Sequence, residues 1–201
     1  MNDKPEGLIK RKIVGLFHDP PWKPWVISGE IKIDSFKCKG EEIKVINFGD
    51  HKHENQGLTV AMKTLSANED EIKKLMNYVR NSDVLSAALD RYLKLEEKAT
   101  QKEKVNILNP DKDLTYPLEV KPKDIDGFVC EIIETSEKLK NAGANSTLLY
   151  NYLYGNIELI WYKYNDKALP LADTRVKTYS VFDHLYSTTS LLNWFDGKAF
   201  E

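Results

Sequence analysis

Two consecutive prolines, Pro20-Pro21, follow directly on an apolar run with helical spacing (Leu8, Ile9, Ile13, Val14, Leu16, Phe17). A residue that precedes proline is pushed out of the α region, and a second proline removes another backbone donor. A helix over residues 7–18 must therefore stop at Asp19. The prolines fix that exit, and the two residues standing at it are His18 and Asp19. Imidazole and carboxylate side chains held side by side at a rigid helix exit form a candidate pair of ligands for one divalent ion.

The rest of the chain reads as further helices around one short β element. After the prolines, residues 26–48 alternate in a strand-like way (Glu30-Ile31-Lys32-Ile33-Asp34, then Ile43-Lys44-Val45-Ile46) about Gly40, which predicts a β-hairpin. Helical patterns cover 53–66, 69–97, 126–141, 145–164 and 180–195. Residues 105–123 carry three prolines and read as extended, and 169–175 read as a turn. Residues 1–201 are taken as one mainly helical domain. The ending, Trp194-Phe195-Asp196-Gly197-Lys198-Ala199-Phe200-Glu201, is aromatic to its last residues, which is expected of the N-terminal piece of a longer polypeptide.

Charge separates fewer classes here than motif spacing does. Lys plus Arg number 29 against 31 for Asp plus Glu, so no global basic excess marks a stand-alone nucleic-acid binder. No apolar run approaches the ~18 residues of a membrane span, and no leader pattern opens the chain. The cysteines, Cys38 and Cys130, have no ligand spacing and no disulfide framework around them, which favours a reducing cytoplasm.

Polar residues placed on apolar stripes are the next signal. Ile72, Met76 and Val79 trace one face in steps of four and three, and the next step of four lands on Asp83. A buried carboxylate costs several kcal/mol unless it is paired or metal-bound, so Asp83 is either a ligand or the partner of an arginine such as Arg80 or Arg91. In the last helix, His184 shares a stripe with Val181, Leu185, Thr188, Leu191 and Leu192, as a ligand or as a hydrogen-bonded core histidine. Asp183 lies three residues after Ser180, the spacing of a capping box, and reads as a cap. His51 and His53 flank Lys52; His53, beside Glu54 at a helix start, is the better ligand candidate. Lys23 is a candidate contact for a phosphate, or a solvated lysine. Trp22 and Trp25 stack bases or plug a core edge, and Lys10-Arg11-Lys12 guides a backbone or forms a wet face.

This set of residues resembles the HD superfamily of metal-dependent phosphohydrolases, whose usual order is a lone His, a His-Asp pair, further His, then a late Asp. Here His18-Asp19, His53 and Asp83 keep that order while the lone His comes last, at 184, as in a circularly permuted domain. The permuted arrangement is similar to the N-terminal HD domain of the large signature subunit of type III CRISPR–Cas effector complexes, the Cmr-type (III-B) branch in particular. The resemblance rests on LFHDPPWK (16–23), SDVLSAALDRYL (82–93), LNPDKDLTYPL (108–118) and LADTRVKTYSVFDHLYSTTSLL (171–192).

It implies a mainly α, circularly permuted HD-superfamily helical domain with a small β-hairpin insertion. It also implies a cytoplasmic metal-dependent nuclease that cuts single-stranded DNA in company with other subunits of an RNA-guided complex. His18, Asp19, His53, Asp83 and His184 would hold one or two divalent transition metal ions (Mn, Ni, Co, Fe or Zn). His18, Asp19 and Lys23 would act at the phosphate. Two other readings stand beside this one: an inert structural HD domain that helps assemble a complex, and an HD phosphohydrolase acting on nucleotides. Nothing in the chain resembles the Gly-Gly-Asp-Asp signature of the polymerase-like palm domains that accompany the HD domain in that family.

Overall fold

The computed structural model describes residues 5–49, 51–92, 120–173 and 176–195. Helix α1 (Pro5–Phe17) ends as the prolines demand, its last helical bond running from His18 N to Val14 O at 3.0 Å. The short α2 (Lys23–Ile27) carries Pro24 in its first turn, where a fixed φ is suited. Strands β1 (Ser35–Cys38) and β2 (Glu41–Lys44) pair antiparallel through a two-residue turn. Lys39 and Gly40 both take positive φ there (51° and 81°), the requirement of a type I′ hairpin turn.

Four helices follow before the second sheet closes the set. Helix α3 (Lys52–Leu65) stops at Ser66, which adopts the left-handed conformation. Helix α4 (Glu69–Tyr92) starts on Asn68, whose side chain accepts from Glu71 N at 2.9 Å. Helix α5 (Ile125–Asn141) is capped by Asp124 and α6 (Ser146–Asn165) by Asn145, each side chain accepting a first-turn amide. Strands β3 (Leu171–Asp173) and β4 (Val176–Ser180) pair antiparallel, and α7 (Val181–Phe195) follows at once. Ser180 N donates to Asp183 Oδ2 while Asp183 N donates to Ser180 Oγ, the reciprocal bonds of the expected capping box.

Helix α1 is the hub. It packs against α3, α4, α6 and α7, and α4 packs along α7. Ile13, Val14, Leu16 and Phe17 of α1 are buried with Ile72, Met76 and Val79 of α4 and with Val181, Leu185 and Leu192 of α7. An aromatic wedge forms the other side of the core, where Trp22 meets Phe36 and Phe128 edge-on and Trp25 lies against Trp161.

Several expectations change at this level. The strand alternation over 30–34 does not make a strand; Glu30 N and Ile31 N instead donate to Trp25 O, so α2 captures that backbone and the hairpin begins at Ser35. The predicted turn at 169–175 contains β3, and β4 follows it. Trp22 and Trp25 are buried in the core and offer no face to a base. Lys10-Arg11-Lys12 is not a wet face: Lys10 pairs with Glu71 at 2.9 Å, Arg11 is buried over the Tyr78 ring, and Lys12 lies over Tyr150.

Cys38 and Cys130 form a disulfide. The two cysteines are 92 residues apart in sequence, and only the packing of β1 on α5 brings them together, so linear spacing carried no trace of the pair. The inference from unpaired cysteines to a reducing compartment loses its premise. The motif at 108–118, the end of the helix expected over 69–97, Thr174-Arg175 and the residues after 195 lie outside the described residues.

Candidate metal centre

The exit from α1 places His18 and Asp19 against α3, α4 and α7. His18 is 1% exposed and Asp19 4%, a depth at which imidazole and carboxylate need partners. His18 Nδ1 lies 2.7 Å from Gly15 O. A carbonyl only accepts, so Nδ1 is the donor there and Nε2 is the nitrogen turned toward the carboxylates. That Nε2 faces Asp83 Oδ1 at 3.4 Å and Asp19 Oδ2 at 4.0 Å, and it has no hydrogen-bond partner. His184, from the first turn of α7, brings Nε2 to 3.0 Å from Asp83 Oδ1 and 3.6 Å from Asp19 Oδ2. Its other ring nitrogen meets Ser86 Oγ at 3.2 Å.

These four side chains, His18, Asp19, Asp83 and His184, offer ligand atoms that all lie within 4.8 Å of one another. Bonds of about 2.0–2.2 Å to one ion place neighbouring ligand atoms roughly 2.8–3.6 Å apart. Three of the spacings given above, 3.0, 3.4 and 3.6 Å, are of that size. A buried imidazole nitrogen without a hydrogen-bond partner, set between two carboxylates, is the arrangement that a cation would complete. The donor set therefore fits a divalent ion, and its mixture of imidazole and carboxylate suits transition metals.

A second group adjoins the first. His53 Nε2 lies 3.4 Å from the other oxygen of Asp19, and Asp19, His53 and Glu54 form their own cluster. Asp19 thus belongs to both groups, Oδ2 toward the first and Oδ1 toward His53. His51 and His53 do not point apart as alternate residues of an extended chain would; their rings stack at 5.7 Å with planes 6° apart, because His51 stands at the residue before α3 and His53 lies in its first turn.

Electrostatics match the geometry. Burial alone would raise Asp19, but Lys23, His18, His53 and His184 outweigh it and hold its carboxyl well below the ordinary range. For Asp83, burial is again outweighed, here by the His18 and His184 imidazoles that face it, and its carboxyl is also held low. Both groups stay ionised at neutral pH and present charge to a cation. Glu54 shifts the opposite way, raised by burial and by the Asp19 charge beside it.

Each candidate ligand from the sequence now has a place. His18, Asp19, Asp83 and His184 converge, and His53 joins through Asp19. His18 and His184 face Asp83, and Arg80 faces Glu54 at 3.9 Å; the side chain of Arg91 lies outside the described residues. Lys23 folds back so that its ammonium pairs with Asp19 Oδ2. Sequence reasoning missed the parts played by Glu54 and Ser86. Ser86 lies three residues after Asp83, a spacing that puts both on one helix face. Among the described residues no helix is long and apolar enough to cross a membrane.

No family model matches the chain, and no solved structure matches it. A relative from Saccharolobus solfataricus, "CRISPR system CMR subunit Cmr2", is 26% identical over 214 aligned residues, which cover 94% of this chain and 18% of that protein. The chain therefore spans less than a fifth of the relative's length, and the match supports a relation to a Cmr-type CRISPR subunit.

Proposed function

We propose that this chain is a circularly permuted HD domain that cleaves single-stranded DNA in a metal-dependent reaction, as one part of a type III-B CRISPR effector complex. The observation that carries the reading is the buried cluster itself. Residues 18, 19, 83 and 184, far apart in the chain, direct two imidazoles and two ionised carboxylates at one point. The likeness to a Cmr2 subunit over nearly the whole chain supports the same reading and supplies the partners: the other subunits of an RNA-guided complex, with no membrane.

His18, Asp19, Asp83 and His184 would hold the first ion, and Asp19, His53 and Glu54 a second, with Asp19 shared. A divalent ion bound there supplies Lewis acidity, polarising a phosphate oxygen and activating water as a nucleophile. The chain's own residues do the rest. The Gly15 carbonyl and Ser86 hydroxyl fix the two imidazoles in the orientation a ligand needs. Burial shields the Asp19 carboxylate from bulk water, while Asp83 stays partly open to solvent. Lys23 balances the charge of Asp19 and is assigned to the scissile phosphate, where its ammonium offsets the charge that grows on the oxygens.

The test incubates the protein with labelled single-stranded DNA, with nucleotides and with each of Mn, Ni, Co, Fe and Zn, beside a His18→Ala/Asp19→Ala control. Metal-dependent cutting of DNA that the double substitution abolishes is the expected result. Cleavage that survives the double substitution refutes the site. Turnover of nucleotides without DNA cutting moves the reading to a nucleotide phosphohydrolase, and no turnover with any metal moves it to an assembly scaffold.

A further inference from the structure

We propose that the Cys38–Cys130 bridge is a reversible redox clasp on the α3 half of the metal centre, so that reduction loosens His53 and Glu54 while leaving His18, Asp83 and His184 in place. The inference rests on the metal-centre reading for its consequence, though its mechanical part stands on packing alone.

The bridge joins β1 to α5. Two residues from each cysteine stands a buried ring, Phe36 on β1 and Phe128 on α5, and both rings meet the same Trp22 edge-on, at 5.6 and 6.1 Å. Trp22 Nε1 donates to Gln56 Oε1 at 2.7 Å, and Gln56 Nε2 donates to Ile33 O at 2.9 Å. One buried glutamine of α3 therefore ties that helix both to the wedge and to the stem of the hairpin. Helix α3 also packs on α5. Its supports on this side share the clasp.

The other ligands are held differently. His18 leaves α1, Asp83 sits on α4 and His184 on α7, three helices that pack on one another. Loss of the bridge leaves the hairpin tied to α5 by packing and by two solvent-exposed contacts, Lys37 N to Asp126 Oδ1 at 3.1 Å and Lys39 to Glu134 at 3.4 Å, so the wedge and α3 loosen with it. The α1–α4–α7 packing keeps its own core. The two ligand groups meet only at Asp19, so the change reaches the second group first.

Reduction requires a dithiol. Its thiolate attacks the Sγ of Cys130, the more exposed of the pair, and the Sγ–Sγ bond breaks with Cys38 leaving as a thiolate that takes up a proton. The second thiol of the reductant then attacks the mixed disulfide and releases Cys130. Two electrons and two protons pass to the cysteines, and the dithiol ends as a disulfide.

The full chain is prepared oxidised, reduced with dithiothreitol that is then removed anaerobically, and reoxidised; Cys38→Ser/Cys130→Ser serves as a permanently open form. Circular dichroism checks the fold of each. If the double variant does not fold, the reduced wild-type protein at low temperature carries the test. Hydrogen exchange is read helix by helix, and bound Mn²⁺ is counted by equilibrium dialysis. On reduction, α3 loses protection by tenfold or more while α1, α4 and α7 hold theirs, the second Mn²⁺ weakens by about tenfold or more, and reoxidation restores both. Equal α3 protection and equal Mn²⁺ binding in the two redox states overturn the clasp. If Mn²⁺ binds in neither state, the metal-centre reading falls and exchange alone decides: selective loss in α3 sustains the clasp, and uniform change or none overturns it.

Discussion

Gly57→Ala probes the seat of α3 against the exit of α1. A Cβ at residue 57 would lie 1.8 Å from the Phe17 carbonyl oxygen and 3.2 Å from Pro20 Cδ. The first distance is at least about 1.2 Å inside the closest approach that a Cβ tolerates, and the obstacle is backbone, which cannot swing aside as a flexible side chain can. Either α3 retreats or the Phe17–Pro20 exit shifts. Overpacking of this kind costs roughly 3 kcal/mol, the top of the usual range, and better helix propensity returns up to about 1 kcal/mol. The net loss of about 2 kcal/mol corresponds to a fall in Tm of about 4–8 °C for a chain of this size.

The site should respond as well. His53 lies one turn before Gly57, so a retreat of α3 carries its Nε2 beyond reach of Asp19 Oδ1, now 3.4 Å away. Thermal melts and Mn²⁺ titrations of wild type, Gly57→Ala and Gly155→Ala form the assay. Gly155 is exposed on α6 with nothing within 4 Å of its added Cβ, so its substitution should leave metal binding alone and raise stability by up to about 1 kcal/mol. A Gly57→Ala protein that melts within about 1 °C of wild type and binds metal equally would refute the contact between α3 and the α1 exit, and with it the placing of His53.

Other substitutions test other parts of the argument. Ser86→Ala removes the hydroxyl beside His184 Nδ1 and should weaken metal binding about 10–100-fold in a titration while leaving the fold intact. Asp183→Ala breaks the reciprocal bonds with Ser180 and should cost about 1 kcal/mol in a urea melt with no change in metal affinity, which separates the cap from the ligand next to it. Asp83→Ala should abolish binding at the four-residue group, seen as loss of the metal-induced rise in Tm; that rise is about 2.7 kcal/mol of stabilisation when metal is at 100 times its Kd. Phe36→Ala opens a cavity beside Trp22 and should cost about 3–5 kcal/mol, measured by denaturant unfolding.

What could be read from the residues alone was local. The prolines at 20 and 21 end α1 because they restrict φ and remove donors, and the Ser180–Asp183 spacing starts α7 because a cap needs only its own first turn. Asp83 and His184 stood out because each interrupts an apolar stripe, where an uncompensated polar group is costly. Tertiary structure decided the rest. The 92-residue reach of the Cys38–Cys130 bridge, the capture of residues 30 and 31 by α2, the burial of Trp22 and Arg11, and the approach of Asp19 to both ligand groups all depend on how helices cross. Capping, periodicity and backbone restriction act within a few residues and so leave a mark in the order of amino acids. A distance between side chains on different helices is set by the packing of the whole core, and no short stretch of sequence carries it.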